Sequence, residues 1–200
     1  MKALDRYLQR ARIARALRHL QPRVRVIDIG AHQGELFTAL GARLEQGFGI
    51  EPINATEIRG RNYVIRPGYF PDVAPDQPGS WDAITLLAVL EHISPDNQRT
   101  LAAACAMFLK PGGRVVITVP SPAVDHILWC LQKLRLIAGM SLEEHYGFKP
   151  ADVPRIFDAP HFRLLRHSRF QFGLNHLFVF ERTSSAAGVT APESAVARET

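Results

Sequence analysis

The feature that most constrains this chain is a short apolar run closed by a glycine-rich turn: Val24-Arg25-Val26-Ile27-Asp28-Ile29, then Gly30-Ala31-His32-Gln33-Gly34. A β-branched run of this kind predicts a buried strand, and a strand covered on both faces belongs to a parallel sheet with helices above and below. Residues 35–43 have helical character, and Gly47-Phe48-Gly49-Ile50-Glu51 reads as a second strand. The segment is therefore a strand-helix-strand unit, and the fold class is α/β. Open α/β sheets bind ligands beyond the carboxyl ends of their strands, which is where the turn lies.

Further elements follow the same logic. Residues 62–66, 81–87 and 114–119 are predicted as the third, fourth and fifth strands, with the Pro- and Gly-rich stretch 67–80 as loop. Residues 95–109 form a helix that Lys110-Pro111-Gly112-Gly113 ends. A last helix is expected over 150–157, and 162–170 with 176–181 reads as a closing antiparallel pair joined through Gly173 and Asn175. Apolar residues at helical spacing over 124–137 mark a core or lid helix. The boundaries expected are a basic amphipathic helix over 1–22, one α/β domain over 23–182, and a disordered tail over 183–200, which has too little apolar surface to offset the entropy of ordering.

The net charge of +5 is local: residues 1–25 carry +7, which leaves −2 for the remainder. A basic helix packed by its apolar stripe against the cofactor site's edge is preferred to one bound to RNA or anionic lipid. No apolar run reaches the roughly 20 residues that span a bilayer, and the N-terminus lacks a secretory core, so the protein is expected in the cytoplasm. Cys105 and Cys130 fall within apolar helical patterns and read as core thiols; no metal centre is expected.

The turn distinguishes two cofactor types. A dinucleotide needs close backbone approach to its pyrophosphate at the middle position, where this chain has His32. Asp28 beside the turn would repel a pyrophosphate and attract the ammonium and sulfonium charges of S-adenosylmethionine. Glu51, 21 residues after Gly30, stands where an acid accepts hydrogen bonds from ribose hydroxyls. Either cofactor wants an acid there, so it is His32 and Asp28 that favour the sulfonium cofactor.

Four pieces in order carry a resemblance: Asp28-Ile29-Gly30 with Gly34; Gly49-Ile50-Glu51-Pro52; Trp81-Asp82-Ala83-Ile84 leading to Leu90-Glu91-His92; and Leu109-Lys110-Pro111-Gly112-Gly113. Over roughly residues 24–182 the chain resembles the class I S-adenosylmethionine-dependent methyltransferases, in particular the small-molecule group that contains the ubiquinone-biosynthesis enzymes. The resemblance implies a Rossmann-like, seven-stranded, mostly parallel sheet with the last strand antiparallel and helices on both faces. It also implies S-adenosylmethionine as cofactor, held by Asp28, Gly30, Ala31, His32, Gly34, Glu51 and Pro52, with Leu87 and Ala88 at the end of the fourth strand. The family usually has glycine where His32 stands. The acid it often places on adenine is replaced by Gly68-Tyr69-Phe70, so Tyr69 or Phe70 is expected to stack there.

His92 follows the fourth strand near the transferred methyl and is read either as a proton acceptor or as a wall of the pocket. His145, with His126, Glu144 and Tyr146, lies in the segment expected to cover the acceptor, and His145 is the second catalytic candidate. The acceptor is expected to be a small molecule, with oxygen as the preferred methylated atom. The chain lacks the Asn/Asp-Pro-Pro-aromatic element that amino-methylating DNA and RNA enzymes carry after this strand, so no nucleic acid is expected. An apolar acceptor or peripheral membrane contact stays open through Trp129 and the stripe over 124–137. Two other classes remain: an NAD(P)-dependent oxidoreductase and a non-catalytic S-adenosylmethionine-binding module.

Overall fold

Eight strands form one sheet in the computed structural model, which describes residues 3–121, 148–158 and 160–184. In chain order they are β1 (Val24–Ile29), β2 (Leu44–Ile50), β3 (Ile58–Arg59), β4 (Tyr63–Arg66), β5 (Trp81–Leu87), β6 (Leu109–Pro120), β7 (Phe162–Phe170) and β8 (Asn175–Arg182). Their spatial order is β3-β4-β2-β1-β5-β6-β8-β7. Strands β4, β2, β1, β5 and β6 pair in parallel, and β8 runs antiparallel to both of its neighbours. The last strand is thus the reversed one, as the resemblance implied. The eighth strand, beyond the seven expected, is the two-residue β3, which pairs antiparallel with the edge of β4; two residues are too few to leave a periodic trace in the sequence.

Alternation along the strands divides the core into two layers. Ile27, Ile29, Ile84, Leu86, Val115, Ile117, Phe178 and Phe180 face helix α3 (Pro95–Phe108) and the short α4 (Val153–Ile156). Val26, Ala83, Val116, Leu177 and Val179 face α1 (Ala3–Leu17) and α2 (Glu35–Leu40). Cys105 lies in the first layer, fully buried, and burial pushes its thiol pKa up. Pro95 at the first position of α3 follows Ser94, a sequence that starts a helix without wasting a backbone donor.

Helix α1 belongs to this architecture. Ile13, Ala16 and Leu20 are buried in the second layer. The carbonyls after the helix are collected by two arginines: Arg43 donates to the oxygens of Leu17 (3.1 Å), Leu20 (2.7 Å) and Gln21 (3.1 Å), and Arg114 to that of His19 (3.0 Å). At the end of the sheet away from the turn, Asp82 accepts the Arg25 backbone N–H at 2.7 Å and pairs with Lys110.

Several boundaries differ from those predicted. The helix expected over 35–43 ends at Leu40 and continues as a 3-10 turn, Gly41–Arg43. β2 begins at Leu44, because Leu44 is buried although Glu45 and Gln46 break the apolar run. The Pro-Gly-Gly stretch is an irregularity within β6: Trp81 pairs with Leu109 and Ala83 with Arg114, so residues 110–113 bulge out. The helix over 150–157 is a 3-10 turn (Pro150–Asp152) followed by α4. Thr183 is still tied to the sheet, its N–H bonded to His161 O at 2.9 Å, so order runs slightly past residue 182. The stripe over 124–137, Cys130 and the tail from residue 185 lie outside the described residues. Among the described residues no helix is long and apolar enough to cross a membrane.

Candidate active site

The turn after β1 is built by three residues with left-handed backbone: Gly30 (φ 78°), His32 (φ 46°) and Gly34 (φ 84°). The N–H groups of Gly30 and Ala31 both donate to Ile50 O, at 2.8 and 3.2 Å, which ties the turn across the end of β2. Gly30 cannot be replaced cheaply. Besides its φ, a Cβ there would sit 2.4 Å from Val89 Cγ2. His32 occupies a left-handed conformation that suits glycine. Its side chain points outward and pairs with Glu35, Nδ1 to Oε1 2.8 Å, while Asn54 Nδ2 donates to its carbonyl at 3.0 Å.

Asp28, two residues before the turn, is 4% exposed and accepts a 2.6 Å hydrogen bond from Thr85 Oγ1. Burial, helped by the charges of Glu35 and Glu51 and opposed by the Thr85 bond, pushes its pKa up to about 7. A small cleft opens above it between α1 and the strand ends, lined by Gln9, Arg12, Ile13, Asp28, Gly30, Ala31, Glu35, Leu36 and Leu87. The lining thus includes an acid on β1, Asp28, and a base on α1, Arg12. Arg12 is itself held from behind, its Nε donating to Asn175 Oδ1 at 3.1 Å.

Glu51 ends β2 on the far side of the turn and is 7% exposed. Its Oε2 accepts the His32 N–H at 2.9 Å and its Oε1 the Ile53 N–H at 3.2 Å. An ionised carboxylate has about four lone-pair directions, so the geometry fixes the acid while leaving it able to accept from a diol. The end of β5 completes the rim: Ala88 has φ 61° and its N–H bonds Thr118 O at 2.8 Å. The 3-10 turn Leu90–His92 then carries an exposed His92.

A family model for the methyltransferase domain matches residues 2–171. This chain belongs to the methyltransferase domain family. The ubiquinone biosynthesis O-methyltransferase of Idiomarina loihiensis is 29% identical over 147 residues, which cover 68% of this chain and 60% of that protein. The enzyme of the same name from Xanthomonas campestris is 32% identical over 111 residues, 52% of this chain and 46% of that one. The chain thus spans about half the length of these relatives. The N-methyltransferase NodS from Bradyrhizobium japonicum, in complex with S-adenosyl-L-homocysteine, shares the fold with a TM-score of 0.63 at 15% identity, over 88% of this chain and 87% of that one.

The methyltransferase domain is of class I, and S-adenosylmethionine is its cofactor. The residues present fit that group: a zwitterionic amino-acid end offers an ammonium to an acid and a carboxylate to a base, and the cleft is lined by both Asp28 and Arg12. The structure brings Asp28, Gly30, Ala31, Gly34, Glu51, Leu87 and Ala88 to one edge of the sheet. It separates the others. Pro52 is exposed beyond Glu51, and the His32 side chain is turned toward Glu35 rather than the cleft. Of the two aromatic candidates, Phe70 is packed on Phe108 with ring centroids 5.6 Å apart, so only Tyr69, 70% exposed, is free to stack on an adenine. His145, with His126, Glu144 and Tyr146, lies outside the described residues.

Arg12, Gln9 and Thr85 were not singled out by sequence. In α1 the arginines read as one solvated face, and only the helix's rotation against the sheet shows that Arg12 points inward. The available signal was spacing: Arg12 directly precedes Ile13 and lies four residues before Ala16, both of which are buried.

Proposed function

We propose that the protein transfers the methyl group of S-adenosylmethionine to an oxygen atom of a small-molecule acceptor. The observation that carries this reading is the single cleft at the end of β1 that both Asp28 and Arg12 line. Asp28 takes the cofactor's ammonium, Arg12 its carboxylate, and Glu51 the ribose hydroxyls, while Tyr69 offers a face to the adenine. When bound, the cofactor supplies an electrophilic methyl on a sulfonium.

The chain's task is then mainly positioning. Leu87 and Ala88, with Val89 wedged under Gly30, form an apolar wall that keeps water from the methyl while an acceptor is held in line. His92 is the candidate to take the acceptor's hydroxyl proton on an imidazole nitrogen, and His145 is the second. The acceptor oxygen gains the methyl and loses its proton, and S-adenosylhomocysteine leaves. Preference for oxygen is supported by the likeness to ubiquinone biosynthesis O-methyltransferases.

The test uses cofactor labelled in its methyl group and two acceptor panels, phenols and catechols against aliphatic and aromatic amines, with the native chain and with His92→Ala and His145→Ala. The expected result is label on a hydroxyl compound, with turnover lowered about a hundredfold by loss of the proton acceptor. Label only on amines would replace oxygen by nitrogen. Tight cofactor binding without transfer to either panel would favour a binding module.

A further inference from the structure

We propose that Thr85 is a positioning residue for the cofactor's ammonium, acting through Asp28. This rests on the assignment of that ammonium to Asp28 made above.

Thr85 stands directly opposite Asp28 in the parallel pairing of β1 with β5, and its neighbour on β6 is Val116. It is fully buried in the layer filled by Val26, Ala83, Val116 and Val179. An apolar side chain of the same shape would suit those surroundings, so the hydroxyl needs a reason to be there. Asp28 supplies it: Thr85 Oγ1 donates to Asp28 Oδ1 at 2.6 Å, with Ile27 O 3.3 Å from the same hydroxyl. With Oδ1 held toward β5, Oδ2 is the oxygen that can meet an ammonium in the cleft that Asp28 lines.

A hydroxyl fits this place because it both donates and accepts. Facing an ionised Asp28, it gives its one hydrogen to Oδ1. Facing a protonated Asp28, it accepts the carboxyl proton and turns its own hydrogen to Ile27 O, so neither state leaves a buried group without a partner. The balance matters because Asp28 is pressed toward neutrality. Burial pushes its pKa up to about 7, and the charges of Glu35 on α2 and Glu51 beyond β2 act in the same direction. The Thr85 bond opposes them and favours the ionised form, which is the form that attracts an ammonium. Arg12 on α1 and Glu35, itself paired with His32, also line the cleft. Removing the Thr85 hydroxyl alters none of these charges, so its effect on Asp28 can be read separately.

The experiment measures Kd at about pH 6, 7 and 8 for S-adenosylhomocysteine and for 5′-methylthioadenosine, which lacks the amino-acid end. The proteins are wild type, Thr85→Val, Thr85→Ser, Asp28→Asn, and Thr85→Val combined with Asp28→Asn. Thr85→Val should weaken S-adenosylhomocysteine about tenfold at the lowest pH and only about twofold at the highest, because its Asp28 ionises about one pH unit later. Thr85→Ser, which restores the hydroxyl, should stay within about twofold of wild type, and 5′-methylthioadenosine should bind wild type and both Thr85 variants alike. In the double variant the valine should add nothing to the loss caused by Asp28→Asn. If Asp28→Asn loses S-adenosylhomocysteine while Thr85→Val binds it as wild type does, the positioning role is overturned. The same holds if Thr85→Val weakens both ligands alike, or weakens S-adenosylhomocysteine by one factor at every pH, since a disturbed core would do that. If Asp28→Asn itself changes nothing, the assignment of the ammonium to Asp28 fails and takes this proposal with it.

Discussion

Asp28 shows how one buried group couples cofactor binding to pH. Its pKa is raised from the ordinary 3.8 to about 7 by burial. Between those values the unliganded folded protein holds a proton that the unfolded chain has lost, so this group's contribution to stability falls as pH rises through that window and then levels off. A cofactor ammonium beside Asp28 reverses the preference and draws the proton off. Titrating S-adenosylhomocysteine calorimetrically at about pH 6, in two buffers of different ionisation enthalpy, should show release of up to one proton, and Asp28→Asn should abolish it. Heats that match in both buffers would count against the placement of the ammonium. Asp28, Gly30, Gly34 and Glu51 were legible in the sequence because turn chemistry and strand ends announce themselves locally. Arg12 was not, because its place depends on a helix's rotation and on a contact with Asn175 that spans most of the chain.

The central strands and α3 were readable from periodicity, whereas α2 was cut short at Gly41 and β3 was missed. The physical difference is length: a two-residue strand or a six-residue helix carries too little pattern to separate from a loop. Helix α1 was read as a basic amphipathic segment, yet what seats it is the arginine from the 3-10 turn beyond α2. Arg43 donates to the carbonyl oxygens of Leu17, the last residue of α1, and of Leu20 and Gln21 beyond it. Arg43→Ala should therefore lower stability by about 1–3 kcal/mol in thermal unfolding. It should also weaken S-adenosylhomocysteine binding, since α1 carries Gln9 and Arg12 to the cleft. A fall in Tm with unchanged affinity would show that α1 does not need this anchor to cover the site.

For the whole molecule, one sheet explains why chemistry gathers where it does. Parallel strands β2, β1 and β5 end on the same edge, and the residues that follow them, Glu51, Gly30 and Ala88, meet there although 58 positions separate Gly30 from Ala88 along the chain. Antiparallel β8 begins at that edge, so Asn175 joins them from the C-terminal side. The most direct test of this account is a calorimetric titration with S-adenosylhomocysteine and, separately, with NADH, on wild type and Glu51→Ala. The expected result is binding of S-adenosylhomocysteine alone, weakened at least about tenfold in Glu51→Ala, as for loss of hydrogen bonds to a charged acceptor. Binding of NADH, or a Glu51→Ala affinity equal to wild type, would contradict it.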